Sequence, residues 1–309
     1  MRQLTEANVQ SQLDPVRLIA SLETAFRDRF RSVTLPTRVY VETALGFFLI
    51  MACHDGDGCA MGMKFVAVQK TPEAGDQRIQ ATYILFDPAT AIPKLAIPAN
   101  YLTDLRTAAT SGLATQWLAR ADVRVLGIFG TGRQALAHLK VLPLVRQFRR
   151  VLVCGRDPGR ARAFVEVAAA DMDIPVEVVD AETCASQSDV ICTCTNSMEP
   201  LFDGNLLRPG THLNLVGAFR PNMREVDSMT IERACVVVDT YDGALAEAGD
   251  LLIPLGEGRI SRQHILADLH ELVTGKRRVL PDPQGITVFK SVGCALEDLV
   301  AAELLLASA

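Results

Sequence analysis

The sequence lacks the features that mark several broad classes of protein. No run of about 18 apolar residues occurs, so no transmembrane helix is predicted. The first residues, MRQLTEANVQSQLDP, contain no apolar core of a secretory signal, and we expect a cytoplasmic protein. The formal net charge of −5 gives no basic excess. Because nucleic acids and anionic membranes are bound by basic surfaces, neither partner is expected.

Paired thiol motifs are also absent, although the chain has eight cysteines. None of them stands in a C-x-x-C pair, and three lie in apolar, strand-like runs where cysteine acts as a small hydrophobe. This pattern is typical of a reduced intracellular protein, and no metal site is expected. The five histidines are scattered, and we interpret them as core or surface residues. The cysteines are Cys53, Cys59, Cys154, Cys184, Cys192, Cys194, Cys235 and Cys294, and the histidines are His54, His138, His212, His264 and His270.

The chain is long enough for two domains, and its hydrophobic content of 49% can form a large core. Asp14-Pro15 is typical of a helix start, and an apolar face continues to about Phe30. Short β-branched and aromatic runs separated by turn residues then predict a meander of strands to about Pro98. A helix is predicted from about Leu102 to Ala119.

From Val123 the pattern changes to strands alternating with helices. The strands are continuous apolar runs, which is typical of strands buried on both faces. Alternating strands and helices predict a parallel sheet covered by helices on both sides. We therefore predict an α/β fold class, with a Rossmann-type doubly wound domain at 115–291. An α+β domain is predicted at 1–114, joined by the terminal helical segment 292–309.

The stretch VLGIFGTGRQALAHL contains the clearest motif, Gly130-x-Gly132-x-x-Ala135. It follows a predicted strand and opens a predicted helix, which is the context that a dinucleotide-binding turn requires. The first glycine permits the turn, the second lets the phosphates approach the backbone, and the third position needs only a small residue. The alternative is a structural turn that binds no ligand.

The end of the second strand indicates which nicotinamide cofactor is bound. An acidic residue there hydrogen-bonds the ribose of NAD, whereas an arginine accommodates the 2′-phosphate of NADP. Here the strand VLVC runs into Gly155-Arg156-Asp157, and Asp157 comes one residue after the usual acidic position. Arg156 therefore favours NADPH, with NADH as the alternative cofactor. A solvated Arg-Asp turn would explain the same residues without a ligand.

Five stretches together resemble the ornithine cyclodeaminase/mu-crystallin family over essentially the whole chain. They are YLTDLRTAATSGLA, GTGRQA, NLVGAFRPNMREVD, EAGDLLIPLGEG and TVFKSVGCALEDLVAAELL. The resemblance implies an N-terminal β-rich domain for substrate binding and dimerisation, joined by the last helix, and a Rossmann-type domain. It also implies a homodimer built through the N-terminal sheets.

The resemblance assigns roles to three cations. Arg38 and Arg106 match substrate-binding arginines, and Lys64 matches a lysine beside the substrate, which we expect to be catalytic. Arginine binds carboxylates through two parallel hydrogen bonds, so a small anionic imino or amino acid is the expected substrate. Three cations in one empty pocket would repel one another, which also favours an anionic ligand. The expected cofactor contacts are Thr107, Gly130, Gly132, Arg133, Gln134, Arg156, Thr195, Val216 and Gly217.

Phe219 bears on the reaction. In the cyclodeaminase pattern an aspartate occupies its position, and a glutamate occurs on the strand that here reads FFLIMAC. Without these carboxylates the base needed for deamination is missing. The resemblance therefore implies NAD(P)H-dependent reduction of a cyclic imino acid, with Phe219 packing on the substrate ring. Alternatives are an ornithine cyclodeaminase, an alanine dehydrogenase, or a nicotinamide-dependent binding protein.

Two further parts of the motifs are interpreted structurally. Glu225 and Asp227 lie near the pocket in the family pattern, and we interpret them as structural anchors rather than bases. The stretch EAGDLLIP is predicted to form a loop and the start of a helix, with no chemical role.

Overall fold

The computed structural model describes residues 1–56, 60–71, 78–277, 279 and 284–308. Cys59 lies outside them. The chain divides into two compact units, Met1–Thr110 with Cys294–Ala309, and Ser111–Gly293. None of the described helices is long and apolar enough to cross a membrane.

Strands and helices are numbered in chain order. The strands are β1 (Arg2–Gln3), β2 (Val33–Thr34), β3 (Val39–Thr43), β4 (Gly46–Asp55), β5 (Ala60–Gln69), β6 (Ile79–Phe86), β7 (Pro93–Pro98), β8 (Val125–Phe129), β9 (Arg150–Cys154), β10 (Val176–Val178), β11 (Val190–Thr193), β12 (His212–Leu215), β13 (Ala234–Val238), β14 (Ile265–Asp268) and β15 (Ile286–Lys290). The helices are α1 (Glu6–Gln12), α2 (Pro15–Thr24), α3 (Ala99–Leu118), α4 (Arg133–Val145), α5 (Pro158–Ala169), α6 (Ala181–Gln187), α7 (Ser228–Arg233), α8 (Tyr241–Glu247), α9 (Gly249–Gly256), α10 (Leu269–Thr274) and α11 (Ala295–Ala307).

The first unit is built on a mostly antiparallel sheet. Its order is β1-β7-β6-β5-β4-β2, with β3 also paired to β4, and only β1 runs parallel to its neighbour. Side chains alternate between the two faces of such a sheet. One face, which includes Leu49, Lys64 and Tyr83, is buried, and α11 packs on β4, β5 and β6. The opposite face remains apolar but only half-covered.

The second unit is a doubly wound α/β domain, which confirms the predicted fold class. All pairings in its sheet are parallel, and the order is β10-β9-β8-β11-β12-β15-β13-β14. The chain reverses its direction of winding between β8 and β11. In sheets of this kind, ligands bind at the carboxyl ends of the strands beside that reversal.

Several predicted helix bounds differ from the structure. The helix expected to reach Phe30 is α-helical only over Pro15–Thr24 and continues as a π-helical turn over Ala25–Arg29. The helix α1 was not predicted, because its seven residues are too few to give an apolar period. Pro143, a residue type that ends or kinks a helix, lies inside α4, which continues to Val145. A proline near a helix end displaces few hydrogen bonds.

Candidate functional site

Lys64 lies on the central strand β5, on the face that α11 covers. Its side chain is 1% exposed. The ammonium group donates to Oδ1 of Asp298 at 2.7 Å and to Oγ1 of Thr103 at 3.4 Å. Both partners lie in the first unit, Thr103 on α3 and Asp298 in the first turn of α11. A buried charge of this kind is tolerated because it is paired and hydrogen-bonded.

Arg106, on α3, joins the same group of charges. Its Nε donates to Oδ1 of Asp298 at 3.0 Å, and its Nη1 donates to Oε2 of Glu297 at 2.5 Å. Glu297 also accepts from the backbone N–H of Cys294, which completes a capping box at the start of α11. Two cations and two carboxylates are thus held on adjacent elements of the first unit.

The electrostatics of this group adjust the acidity of Lys64. Burial and then the nearby Arg106 charge lower the pKa of Lys64, Asp298 partly opposes them, and the resulting pKa is about 8. Burial alone would raise the pKa of Asp298, but Arg106 and Lys64 outweigh it and hold that pKa below its usual value. Lys64 can therefore release and regain a proton near neutral pH, whereas Asp298 stays ionised.

Arg38 completes the predicted set of cations. It directly precedes β3 and is half-buried, and its charge acts on both Lys64 and Asp298. The structure thus brings Arg38, Lys64 and Arg106 together. The sequence argument that three cations repel one another was incomplete, because Lys64 and Arg106 are already paired with acidic residues. Glu297 and Asp298 were missed, although both lie in the quoted motif GCALEDL.

Thr107 follows Arg106 on α3 and belongs to the first unit. It is 7% exposed, and its hydroxyl donates to the carbonyl oxygen of Thr103 at 2.8 Å. The remaining predicted cofactor residues belong to the second unit, as does Phe219.

The glycine turn begins where β8 ends. Gly130 has a φ of 114°, in the region that favours glycine, and a Cβ placed there would lie 2.6 Å from the carbonyl oxygen of Cys194. Gly132 caps α4, and a Cβ there would meet no described atom within 4 Å. The two glycines therefore serve different purposes: the first is required by the backbone and the second leaves open space at a helix N-terminus. Phosphates bind at such positions.

The first turn of α4 carries the rest of the motif. Ala135 is fully buried in an apolar cluster of strand and helix residues, which agrees with the need for a small residue at the third position. Arg133 is exposed and Gln134 is half-buried at the start of the helix. The turn thus fits a dinucleotide, because there is open space beside Gly132 and because the small Ala135 is packed in the core.

The end of β9 distinguishes the two residues that bear on cofactor choice. Arg156 is exposed. Asp157 is the N-cap of α5, and its Oδ1 accepts from the backbone N–H of Arg160 at 2.8 Å. Its carboxylate is therefore engaged in helix capping, which lowers the pKa of Asp157.

Glu225 joins the loops that follow β11 and β12. Its buried carboxylate accepts from the hydroxyl of Thr193 at 2.7 Å, from the backbone N–H and hydroxyl of Thr195 at 2.6 and 2.8 Å, and from the backbone N–H of Gly217 at 2.7 Å. A Cβ on Gly217 would lie 2.0 Å from the carbonyl oxygen of Thr195, so the loops touch closely. Glu225 thus has the structural role that we expected, because its carboxylate hydrogen-bonds both loops.

The backbone of Glu225 is hydrogen-bonded to Asp250, which forms a buried ion pair with Lys290. The backbone N–H of Glu225 donates to Oδ1 of Asp250 at 2.7 Å, and Oδ2 of Asp250 lies 3.0 Å from Nζ of Lys290. Burial and the charge of Asp250 raise the pKa of Glu225 to about 7. The motifs EAGD and FKS therefore meet in the fold. The stretch EAGDLLIP forms the end of α8 and the start of α9, and sequence analysis gave Asp250 no role.

Val216 and Phe219 follow the carboxyl end of β12. Val216 is 9% exposed and Phe219 is half-buried. No carboxylate stands at position 219, and none occurs in the strand segment FFLIMAC. The two acidic positions of the cyclodeaminase pattern are thus filled by apolar residues.

Comparisons with known proteins identify the family. The model of the ornithine cyclodeaminase/mu-crystallin family matches residues 1–309. A Delta(1)-pyrroline-2-carboxylate reductase of Bacillus cereus is 37% identical over 249 residues, covering 80% of this chain and 76% of the relative. The ketimine reductase mu-crystallin of Rattus norvegicus is 34% identical, covering 88% and 84%.

A solved structure is also similar over the full length. It is the Delta(1)-pyrroline-2-carboxylate reductase of Thermococcus litoralis in complex with NADH and L-proline. Its TM-score is 0.96 at 34% identity, covering 100% of this chain and 97% of that one. The chain belongs to the ornithine cyclodeaminase/mu-crystallin family.

Proposed function

We propose that the chain reduces a cyclic imino acid with a nicotinamide cofactor. The substrates are Δ1-pyrroline-2-carboxylate, which gives L-proline, and Δ1-piperideine-2-carboxylate, which gives L-pipecolate. The observation that carries the proposal is the buried Lys64, held by Asp298 with a pKa of about 8. A group of that pKa is an effective proton donor near neutral pH.

The substrate carboxylate binds the cations of the first unit. Arg38 and Arg106 are its ligands. The guanidinium of Arg106 has five N–H groups, and the contacts to Glu297 and Asp298 use one each. It therefore has the capacity to hold a third carboxylate as well.

Lys64 hydrogen-bonds the imine region and supplies the proton that the nitrogen gains. When bound, the nicotinamide supplies a hydride to the imine carbon. The C=N double bond becomes a single bond, with the hydride on carbon and the proton on nitrogen. Lys64 then regains a proton from solvent. The chain's own contribution is orientation and proton transfer.

Phe219 favours reduction over deamination. Deamination of ornithine needs a base near the departing amine, and a phenyl ring cannot act as one. An apolar ring instead suits packing against the methylene groups of a cyclic imine.

A substrate panel tests the proposal. We expect rapid NADPH oxidation with either cyclic imine, and no ammonia release from ornithine. Ornithine-dependent ammonia release without imine reduction would identify a cyclodeaminase instead. Ligand binding without turnover of any substrate would identify a binding protein.

The cofactor residues of the second unit are Gly130, Gly132, Arg133, Gln134, Arg156, Thr195, Val216 and Gly217, with Thr107 from the first. NADPH is the proposed cofactor, because Arg156 is exposed at the end of β9 while the Asp157 carboxylate caps a helix. The Thermococcus litoralis relative is described with NADH, so the preference needs a direct test.

Arg156→Ala provides that test. A charge-assisted contact contributes about 1.5–3 kcal/mol, so the variant should bind NADPH at least about tenfold more weakly while NADH binding is unchanged. Arg162→Ala, which removes an exposed arginine from α5, is the control. Unchanged NADPH affinity in Arg156→Ala would refute the NADPH preference.

A homodimer is proposed through the half-covered face of the first sheet. The members of this face include Val39, Val41, Phe48, Ile50 and Phe65, which follow each other across β3, β4 and β5. Val39 and Val41 are 51% and 47% exposed, and the rings of Phe48 and Phe65 stack at 5.8 Å. An apolar face of this extent is typical of a subunit interface. The proposed partner is a second copy of the chain, as the family resemblance implies.

A further inference from the structure

Two thiols and an imidazole meet beside the glycine turn. Cys192 lies on β11, Cys194 follows that strand, and His138 lies on α4. The sulfurs of Cys192 and Cys194 are 3.7 Å apart, and Nδ1 of His138 is 3.8 Å from the sulfur of Cys194. All three ligand atoms lie within 4.8 Å of one another. Among the residues that the structure describes, no other group of histidine, cysteine or acidic side chains meets this condition.

These separations fit a tetrahedral metal site. Bond lengths of about 2.3 Å for Zn–S and about 2.0–2.1 Å for Zn–N place two sulfur ligands about 3.8 Å apart, and a sulfur and a nitrogen about 3.6 Å apart. The observed distances are within a few tenths of an ångström of both values. Two of the three separations therefore match a tetrahedral site, and the third, between the sulfur of Cys192 and a ring nitrogen of His138, is within 4.8 Å.

The surroundings of His138 resemble those of a metal ligand. Its Nε2 lies 2.9 Å from the hydroxyl oxygen of Ser111. Metal-binding histidines typically donate their second ring N–H to such a group, which fixes the tautomer. Nδ1 lies 2.7 Å from the carbonyl oxygen of Gln134, one helical turn earlier. Binding a metal would exchange this contact for a bond to the ion, and the helical N–H of His138 would still satisfy that carbonyl.

Two of the three ligand residues are buried, and the third is partly exposed. Cys192 is fully buried, whereas Cys194 is partly exposed. Two sulfurs and one imidazole nitrogen are a donor set that soft and borderline d¹⁰ cations prefer. Three protein ligands leave a fourth position for water.

We propose that His138, Cys192 and Cys194 form a binding site for a thiophilic d¹⁰ cation such as Zn²⁺. Binding releases the two thiol protons to solvent, so the site with its metal carries no net charge. The sequence analysis expected no metal site, because the C-x-C pair gives no recognised ligand spacing and His138 is 56 positions from Cys194. The site shares no residue with the group around Lys64, and it stands whether or not the proposed reaction is correct.

Cadmium titration of the reduced full-length chain tests this site. CdCl2 serves as the probe because cadmium thiolates absorb in the ultraviolet. We expect saturation at one Cd²⁺ per chain, with competition by ZnCl2. Cys194→Ser should abolish the absorbance or weaken binding at least tenfold. Ser111→Ala, which leaves all three ligands in place, should weaken binding by about 10–100-fold.

Cys154→Ser is the matched control, since Cys154 is a partly buried thiol at the carboxyl end of β9, which is separated from β11 by β8 in the same sheet. It should bind Cd²⁺ as the unsubstituted chain does. Circular dichroism establishes that each variant is folded. Absence of saturable binding in the reduced chain, unchanged binding in Cys194→Ser, or an equal loss in Cys154→Ser would each overturn the proposal.

Discussion

Lys64 depends on a carboxylate that lies 234 positions away in the chain. The Lys64 ammonium group donates a hydrogen bond to Oδ1 of Asp298, and Nε of Arg106 donates to the same oxygen. Removing one member of a buried charged group leaves the others unpaired, at a cost of about 3–5 kcal/mol. Isosteric substitutions are therefore the informative ones at this site.

Asp298→Asn should shift the pH dependence of imine reduction. In the unsubstituted chain, kcat/KM should fall as pH rises through about 8, because Lys64 then loses its proton. Asp298 raises the pKa of Lys64, so its neutralisation should move this decline to lower pH by about one pH unit or more. Glu303→Gln, which removes a carboxylate of α11 that pairs with Arg29, should leave the profile unchanged. An unchanged profile in Asp298→Asn would mean that Asp298 does not tune Lys64.

Lys64→Met should lower kcat strongly while nicotinamide binding is retained. Methionine fills a similar volume without a charge, and general acid catalysis contributes about 10²–10⁴-fold. Turnover and cofactor fluorescence are the two measurements. Full turnover in this variant would exclude Lys64 as the proton donor.

At the scale of elements, the turn between β8 and α4 needs glycine for two reasons. One glycine allows the backbone conformation of the turn, and the other leaves space for the phosphates of the cofactor. Gly130 adopts a positive φ against the carbonyl oxygen of Cys194, whereas Gly132 borders open space. The two requirements can be separated by the same substitution at each position.

Gly130→Ala should lower both stability and cofactor affinity, and Gly132→Ala should lower affinity alone. Backbone strain at a positive φ costs about 1–3 kcal/mol, and the close contact adds to it. Gly132 has a φ of −99°, which alanine adopts readily, but its methyl group would occupy the space of the phosphates. Thermal unfolding and nicotinamide titration measure the two effects. Normal cofactor binding by Gly132→Ala would exclude this turn as the phosphate site.

The elements that sequence reasoning predicts best are those with local signals. The strand, turn and helix around Gly130 follow from a short motif and a clear apolar pattern. The contact of Glu225 with Asp250, and the ion pair of Asp250 with Lys290, could not be predicted from local sequence. They depend on the packing of α9 and β15, which are distant in the chain. Glu297 and Asp298 were missed for the same reason, since their partners lie on β5 and α3. Family motifs marked these stretches, but only the fold pairs them.

At the scale of the whole molecule, the half-covered apolar face of the first sheet is the proposed site of dimerisation. The face of the sheet that carries Lys64 is covered by α11. The opposite face is not covered by α11 and is therefore the one we propose for contact with a second subunit. The proposed second copy would cover Val39, Val41, Phe48, Ile50 and Phe65.

Phe65→Glu should therefore dissociate the dimer. A charge in the centre of an interface costs at least ~2 kcal/mol, equivalent to about a 30-fold weaker association. Light scattering over a range of concentrations measures the change. Leu144→Glu, at an exposed apolar position of the second unit, should have no effect. A dimer that survives Phe65→Glu would place the interface elsewhere.

The transfer of hydride to an imine carbon is the central claim, and isotopic labelling tests it most directly. The chain is incubated with Δ1-pyrroline-2-carboxylate and with NADPH that carries deuterium at both hydrogen positions of the nicotinamide C4, and the product is analysed by NMR and mass spectrometry. We predict L-proline carrying one deuterium at its α-carbon, formed in equal amount to the oxidised cofactor. Absence of proline, or proline without the label, would contradict the proposed reaction.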